Sequence, residues 1–153
     1  LVHENMFRFL GWRFLTAGRA LERTDQMAAF LATFTDTKAP QGGLDLTVEV
    51  GDSVMTHRRR YSVETSRETV IDLLALDAGN PRSMLFQMDV LLAEEERIRA
   101  ASGHQMEEAG RRILMLRTAL AVAEPAEITP ARLRGFRSDL AAISHALTAQ
   151  YLS

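Results

Sequence analysis

Two arginine-centred segments of this 153-residue chain have the residue types best suited to chemistry: His57-Arg58-Arg59-Arg60-Tyr61 and Asn80-Pro81-Arg82-Ser83. A guanidinium is a permanent cation with a planar fork of donors, so the chemistry it offers is a bidentate grip on a carboxylate or phosphate. Three consecutive arginines cannot share one helix face, because each step turns by about 100°. On a wheel for residues 44–61, Arg60 joins the polar arc and Arg59 borders it. Arg58 falls inside the apolar arc, between the directions of Val54 and Met55. A lone buried charge costs several kcal/mol, so an inward Arg58 requires an anionic partner. Glu22, Asp72 and Asp89 are candidates, and an internal salt bridge or an open anion site would each satisfy the argument.

The Asn80-Pro81-Arg82-Ser83 segment is expected at a helix N-terminus, where free N–H groups and the dipole favour anions. Capping explains Asn80 and Pro81, as N-cap and first helical residue. It does not explain Arg82, whose charge in that first turn would meet a pole of the same sign. A carboxylate from the bundle or a bound anion would compensate. A third cluster, Arg19, Glu22, Arg23 and Gln26, lies on the helix face that carries Trp12 and Phe30. Glu22 can pair with Arg19 at i,i+3 spacing, worth about 0.2–0.5 kcal/mol if exposed. This cluster reads equally as a solvated face or as a partly buried site.

Other chemistries lack a pattern. His3, His57, His104 and His145 are scattered without metal-ligand spacing, so no metal is expected. No P-loop, G-x-G-x-x-G or G-x-S-x-G motif is present, and no cofactor is expected. Glu94-Glu95-Glu96, followed by Arg97 and Arg99, reads as a solvated helix face, and the methionines read as packing.

The composition sets the frame for these residues. A net charge of −2 gives no basic field for nucleic acid. The absence of cysteine excludes disulfides and thiolate metal sites and fits a cytoplasmic protein. No apolar run reaches the roughly 20 residues that cross a bilayer. Lys38 is the single lysine among 18 basic residues, a bias that GC-rich codon usage explains more readily than function. Leu1 is not a natural start, which suggests a piece of a longer protein.

The elements that must position these residues are helices. From about residue 6 to 34, Leu10, Phe14, Ala17, Leu21, Thr24, Ala28 and Leu31 form one stripe. Trp12 and Phe30 add apolar character on the opposite side, which predicts a central helix. After a loop over 35–43, residues 44–61 alternate locally like a strand but form polar and apolar arcs at helical period. A helix is expected there. Thr65-Ser66-Arg67-Glu68 is a capping-box pattern opening a helix through Leu76. The next helix, from Pro81, carries Met84, Met88, Leu91 and Ile98 and should stop at Gly103. Another, from His104 to Ala123, should turn Met106, Ala109, Ile113, Leu116 and Leu120 inward. Thr129 and Pro130 open the last, with Leu133, Phe136, Leu140, Ile143 and Leu147 buried. The expected fold is all-α, a single domain made of a bundle of about six helices.

Gly11-Trp12-Arg13-Phe14-Leu15, then Gly18-Arg19-Ala20-Leu21-Glu22-Arg23, resembles the G-R-x-L-E-R helix of the bacterial alpha-E family. Arg58-Arg59-Arg60-Tyr61 and the stretch from Leu73-Leu74-Ala75-Leu76-Asp77 to Asn80-Pro81-Arg82-Ser83 and Phe86-Gln87 resemble its later motifs, in order and spacing. The likeness is close over residues 11 to about 90 and looser beyond. It implies that the chain is the later half, or one lobe, of a larger alpha-E domain. The family is all-helical and bacterial, found beside or fused with circularly permuted ATP-grasp proteins and near transglutaminase-like proteins. Those neighbours imply ATP-dependent amide or peptide ligation or processing. The family's positions of interest carry over to Arg19, Glu22 and Arg23, then Arg58 and Tyr61, then Asn80, Arg82 and Ser83.

The resulting expectation is an accessory helical domain that binds an acidic substrate group or its ATP-grasp partner, with Arg58 and Arg82 gripping the acid and Glu22 orienting a guanidinium. One rival is a catalytic domain with Glu22 as general base. The other is a structural module whose arginines all close internal salt bridges.

Overall fold

The computed structural model describes residues 2–36 and 66–153, and every regular element within them is helical. They are α1 (Val2–Phe34), α2 (Arg67–Ile71), α3 (Met84–Ser102), α4 (Glu108–Val122) and α5 (Pro130–Tyr151). A π-helical turn, Asp72–Leu76, continues α2, and a 3-10 turn, Pro125–Glu127, precedes α5. The expected helix over 44–61, with Arg58 and Tyr61, lies outside the described residues.

The four long helices close a ring in which α1 and α4 each pack on both α3 and α5. Hydrophobic burial drives this. Leu31, Met88, Leu91, Ile113, Leu133 and Ile143 are almost fully removed from water, each worth about 1.5–3 kcal/mol. The expected stripe of α1 faces the ring, with Ala17, Thr24, Ala28 and Leu31 buried. The hydroxyl of buried Thr24 is satisfied by donating to the Ala20 carbonyl (2.7 Å). The second apolar face of α1 is a different matter. Trp12 and Leu15 are 58% and 49% exposed, so α1 is covered on one side rather than central.

α2 and its π turn fill one end of the ring, against α1, α3 and α4. Leu73, Leu74 and Ala75 are consecutive and all buried, because this segment is covered on every side. Its cap is Ser66, which accepts from the Thr69 N–H (3.1 Å), one position later than a box from Thr65 would start. α3 ends at Gly103, whose φ of 73° suits a residue without Cβ. α4 begins only at Glu108, so Met106 is exposed rather than inward, while Ala109, Ile113, Leu116 and Leu120 are buried. α5 starts as expected: Thr129 accepts from the Arg132 N–H (3.1 Å), Pro130 follows, and all five expected positions are buried.

Candidate functional site

Arg19, Glu22 and Arg23 project from the outward face of α1 and are exposed. Trp12, Leu15, Arg19, Glu22, Arg23 and Gln26 follow steps of three and four, so they share that face. The expected i,i+3 ion pair of Glu22 with Arg19 does not form; Glu22 accepts a hydrogen bond from Gln26 instead (3.3 Å). Beside this face, an open groove of about 540 Å³ runs between α1 and α5, lined by Gly18, Leu21, Glu22, Asp25, Arg137 and Ser144 among others. Arg137 spans it with two hydrogen bonds to the Asp25 carboxylate, at 2.9 and 3.3 Å. Those bonds, and then the Asp25 charge, hold the Arg137 proton more firmly than usual. Glu22 therefore sits in an open, wet setting rather than in a cleft.

The Asn80-Pro81-Arg82-Ser83 segment is built differently from the expectation. Ser83, not Asn80, caps α3: its hydroxyl accepts from the Phe86 N–H (3.1 Å) and donates to the Asp77 carbonyl (2.6 Å). Asn80 shapes the preceding turn, accepting from the Arg82 N–H (3.1 Å) and donating to the Leu73 carbonyl (2.9 Å). Gln87 completes it by donating to the Pro81 carbonyl (2.8 Å). The reason is local. Proline lacks an N–H, and Ser83 is the first residue with both a hydroxyl and the extended backbone that a cap needs. Arg82 is thus exposed and lies before the cap, outside the first turn, which removes the geometric basis for its clash with the helix dipole.

The burial of Glu94 and Glu95 is the main departure from the sequence reading. The triplet is not a solvated face: only Glu96 is exposed, while Glu95 has no exposed surface at all. Glu94 lies between Arg13 of α1 (3.1 Å) and Arg97 (3.2 Å). Glu95 accepts from Arg99 (3.1 Å) and from the Tyr151 hydroxyl (3.0 Å). Burial, then the Glu95 charge and its hydrogen bond, raise the Tyr151 phenol above its ordinary range. The Tyr151 ring meets Phe14 (5.8 Å) and the edge of His104 (5.2 Å). Gly110 gives the carboxylate room, since a Cβ there would stand 3.1 Å from a Glu95 oxygen. Helical spacing held the missed signal, for on a wheel Glu95 falls beside Met88 and Leu91.

The described residues therefore divide into three places. Arg19, Glu22 and Arg23 share the α1 face, Asn80 and Ser83 serve the α3 cap with Arg82 between them, and the buried carboxylates tie α3 to α1 and α5. Asp89, a candidate partner for Arg58, accepts from Arg117 (2.7 Å). Among the described residues, no group of three or more His, Asp or Glu side chains could hold a metal ion. None of their helices is long and apolar enough to cross a membrane.

The Alpha-E family, described as a predicted alpha-helical domain with a conserved ER motif, matches residues 1–152. The chain belongs to the Alpha-E family. This Alpha-E chain has two Glu-Arg pairs: Glu22-Arg23 on the open face of α1, and Glu96-Arg97 just after the buried carboxylates of α3. It is 30% identical over 142 residues to uncharacterised proteins of Mycobacterium bovis and of two strains of Mycobacterium tuberculosis. The match takes in 90% of this chain and spans 16% of the length of those relatives. No solved structure matches it.

Proposed function

We propose that this Alpha-E chain is the accessory helical domain of an ATP-grasp-linked amide- or peptide-forming system, and that it docks the ATP-grasp protein through the outward face of α1. One observation carries the reading: exposed Trp12 and Leu15 adjoin exposed Arg19, Glu22 and Arg23 on a single helix face. Tryptophan and arginine are the residue types that most often dominate binding energy at protein interfaces. From Trp12 to Arg23 the face is about 16 Å long, enough for the centre of an interface. Arg8, Arg19 and Arg23 outnumber Glu22 along it, so it suits an acidic surface. A catalytic role for Glu22 has less support, since its carboxylate is exposed in an open groove.

Calorimetric titration of the chain with its ATP-grasp partner tests the reading. Binding is expected, with Trp12→Ala and the double variant Arg19→Glu/Arg23→Glu each weakening it by about tenfold or more. If the wild-type chain fails to bind, or these variants bind as well as it does, the reading is wrong.

A further inference from the structure

The outward face of α1 does not stop at the edge of that helix. Phe9, 41% exposed, neighbours Trp12 at i,i+3 spacing. The Arg13 guanidinium covers the Phe9 ring, 4.9 Å from its centroid. Arg13 also donates to Glu94 of α3 (3.1 Å), and Arg97 donates to the same Glu94 oxygen (3.2 Å). Phe9, Arg13 and Arg97 therefore form a continuous run that carries the face from α1 across to α3.

Charge along this run is not balanced. Buried Glu94 supplies one negative charge to two guanidinium groups, and among the described residues no other carboxylate lies within ion-pair distance of either. One unit of positive charge is left over, and water reaches it at Arg97, whose side chain is 54% exposed against 24% for Arg13. On the α3 surface, the positions four before, three after and four after Arg97 are Ala93, Ala100 and Ala101, which neither cover nor neutralise it. Glu96 is exposed but points about 100° away around the helix. A guanidinium has five N–H donors, so Arg97 keeps free donors for a second carboxylate.

We infer that Arg97 of α3, beside Arg13, is the acid-binding end of the docking face and takes a carboxylate side chain of the ATP-grasp protein. This rests on the docking proposed above and deepens it. The partner lies across both α1 and α3, with an acidic group opposite Arg97 and apolar surface opposite Phe9 and Trp12.

Calorimetric titration of the full chain with the ATP-grasp protein, at low and high salt, tests this. Arg97→Gln should weaken binding by about fivefold or more at low salt and flatten its salt dependence. Arg97→Lys keeps the charge and should recover most of that loss. Arg111→Glu, on α4 across the ring, makes a larger charge change and should stay within about twofold of the wild type. Arg97 and Arg111 are exposed, so helix content by circular dichroism should be retained in all three variants. If the wild type binds and Arg97→Gln binds equally well with the same salt dependence, this inference is wrong and the docking of α1 stands. A Lys variant as weak as the Gln variant, or an equal loss from Arg111→Glu, also overturns it. A wild-type chain that does not bind removes both readings.

Discussion

The two ends of the helical ring solve the same problem with opposite chemistry. Where α2 meets the start of α3, buried or half-buried polar side chains serve the backbone. Asn80 donates to the Leu73 carbonyl, Ser83 to Asp77, Gln87 to Pro81, and Arg67 to Thr35 and Ile128. At the other end, side chains serve each other: Arg13 and Arg97 on Glu94, Arg99 and Tyr151 on Glu95. The first solution is made of neutral bonds and of one arginine whose partners are carbonyls. Apart from Arg67, whose carbonyl partners lie 32 and 61 residues away, its parts are close in sequence, and each contributes modestly. The second places two carboxylates where water cannot reach them well. Arg13 and Tyr151 reach their carboxylates from distant parts of the chain, Arg97 and Arg99 from the same helix, and removing either carboxylate leaves its donors stranded.

If that contrast is right, mutations should separate the two ends. The largest effect is expected from Glu95→Ala, which leaves Arg99 and the Tyr151 hydroxyl without their acceptor. Destabilisation of about 3–5 kcal/mol in denaturant titrations is expected, against about 0.5–2 kcal/mol for Ser83→Ala at the capped end. Equal losses would break the comparison. Tyr151→Phe comes next, at about 1.5–3 kcal/mol for a hydrogen bond to a charged group. It also has a pH signature. The Tyr151 phenol is raised above its ordinary 10.0, so the folded chain keeps a proton that the unfolded chain releases. Stability from this group is intact below that value and is lost as pH rises beyond it. Unfolding midpoints measured between about pH 9 and 11 should fall more steeply for the wild type than for the Phe variant. The smallest pair of effects compares two glycines. Gly110→Ala would push a methyl group to 3.1 Å from a Glu95 oxygen and is expected to cost about 1–3 kcal/mol. Gly79→Ala would meet Asp77 at an ordinary 3.5 Å and should change stability by less than about 0.5 kcal/mol.

The same division governs how much the sequence discloses. The all-α bundle, the inward stripes of α1, α4 and α5, and the Thr129-Pro130 start were legible because helical period and capping are local signals. The α3 cap was legible only as a neighbourhood. Asn80, Pro81 and Ser83 all favour a helix start, and the competition among them is settled by the turn itself. There Asn80 bonds the Leu73 carbonyl and Ser83 the Asp77 carbonyl, seven and six residues away, a tie that the helix-start signals alone do not display. Glu94 and Glu95 were misread because three adjacent glutamates suggest solvent, whereas their partners Arg13 and Tyr151 lie 81 and 56 residues away. The exposure of Arg19, Glu22 and Arg23 was left open in the sequence, since an amphipathic period does not say whether a second face is covered.

The bond between Asp25 and Arg137 joins residues 112 apart in sequence, and it lies where α1 packs on α5. It has a consequence for synthesis. At about 5–20 residues per second, roughly 6–20 s pass between the emergence of one partner and that of the other. During that interval the stripe of Ala17, Leu21, Ala28 and Leu31 has no α5 to cover it. α3 ends at Ser102, so it can shelter the first helix only late in that interval, and the ring closes once α5 has emerged.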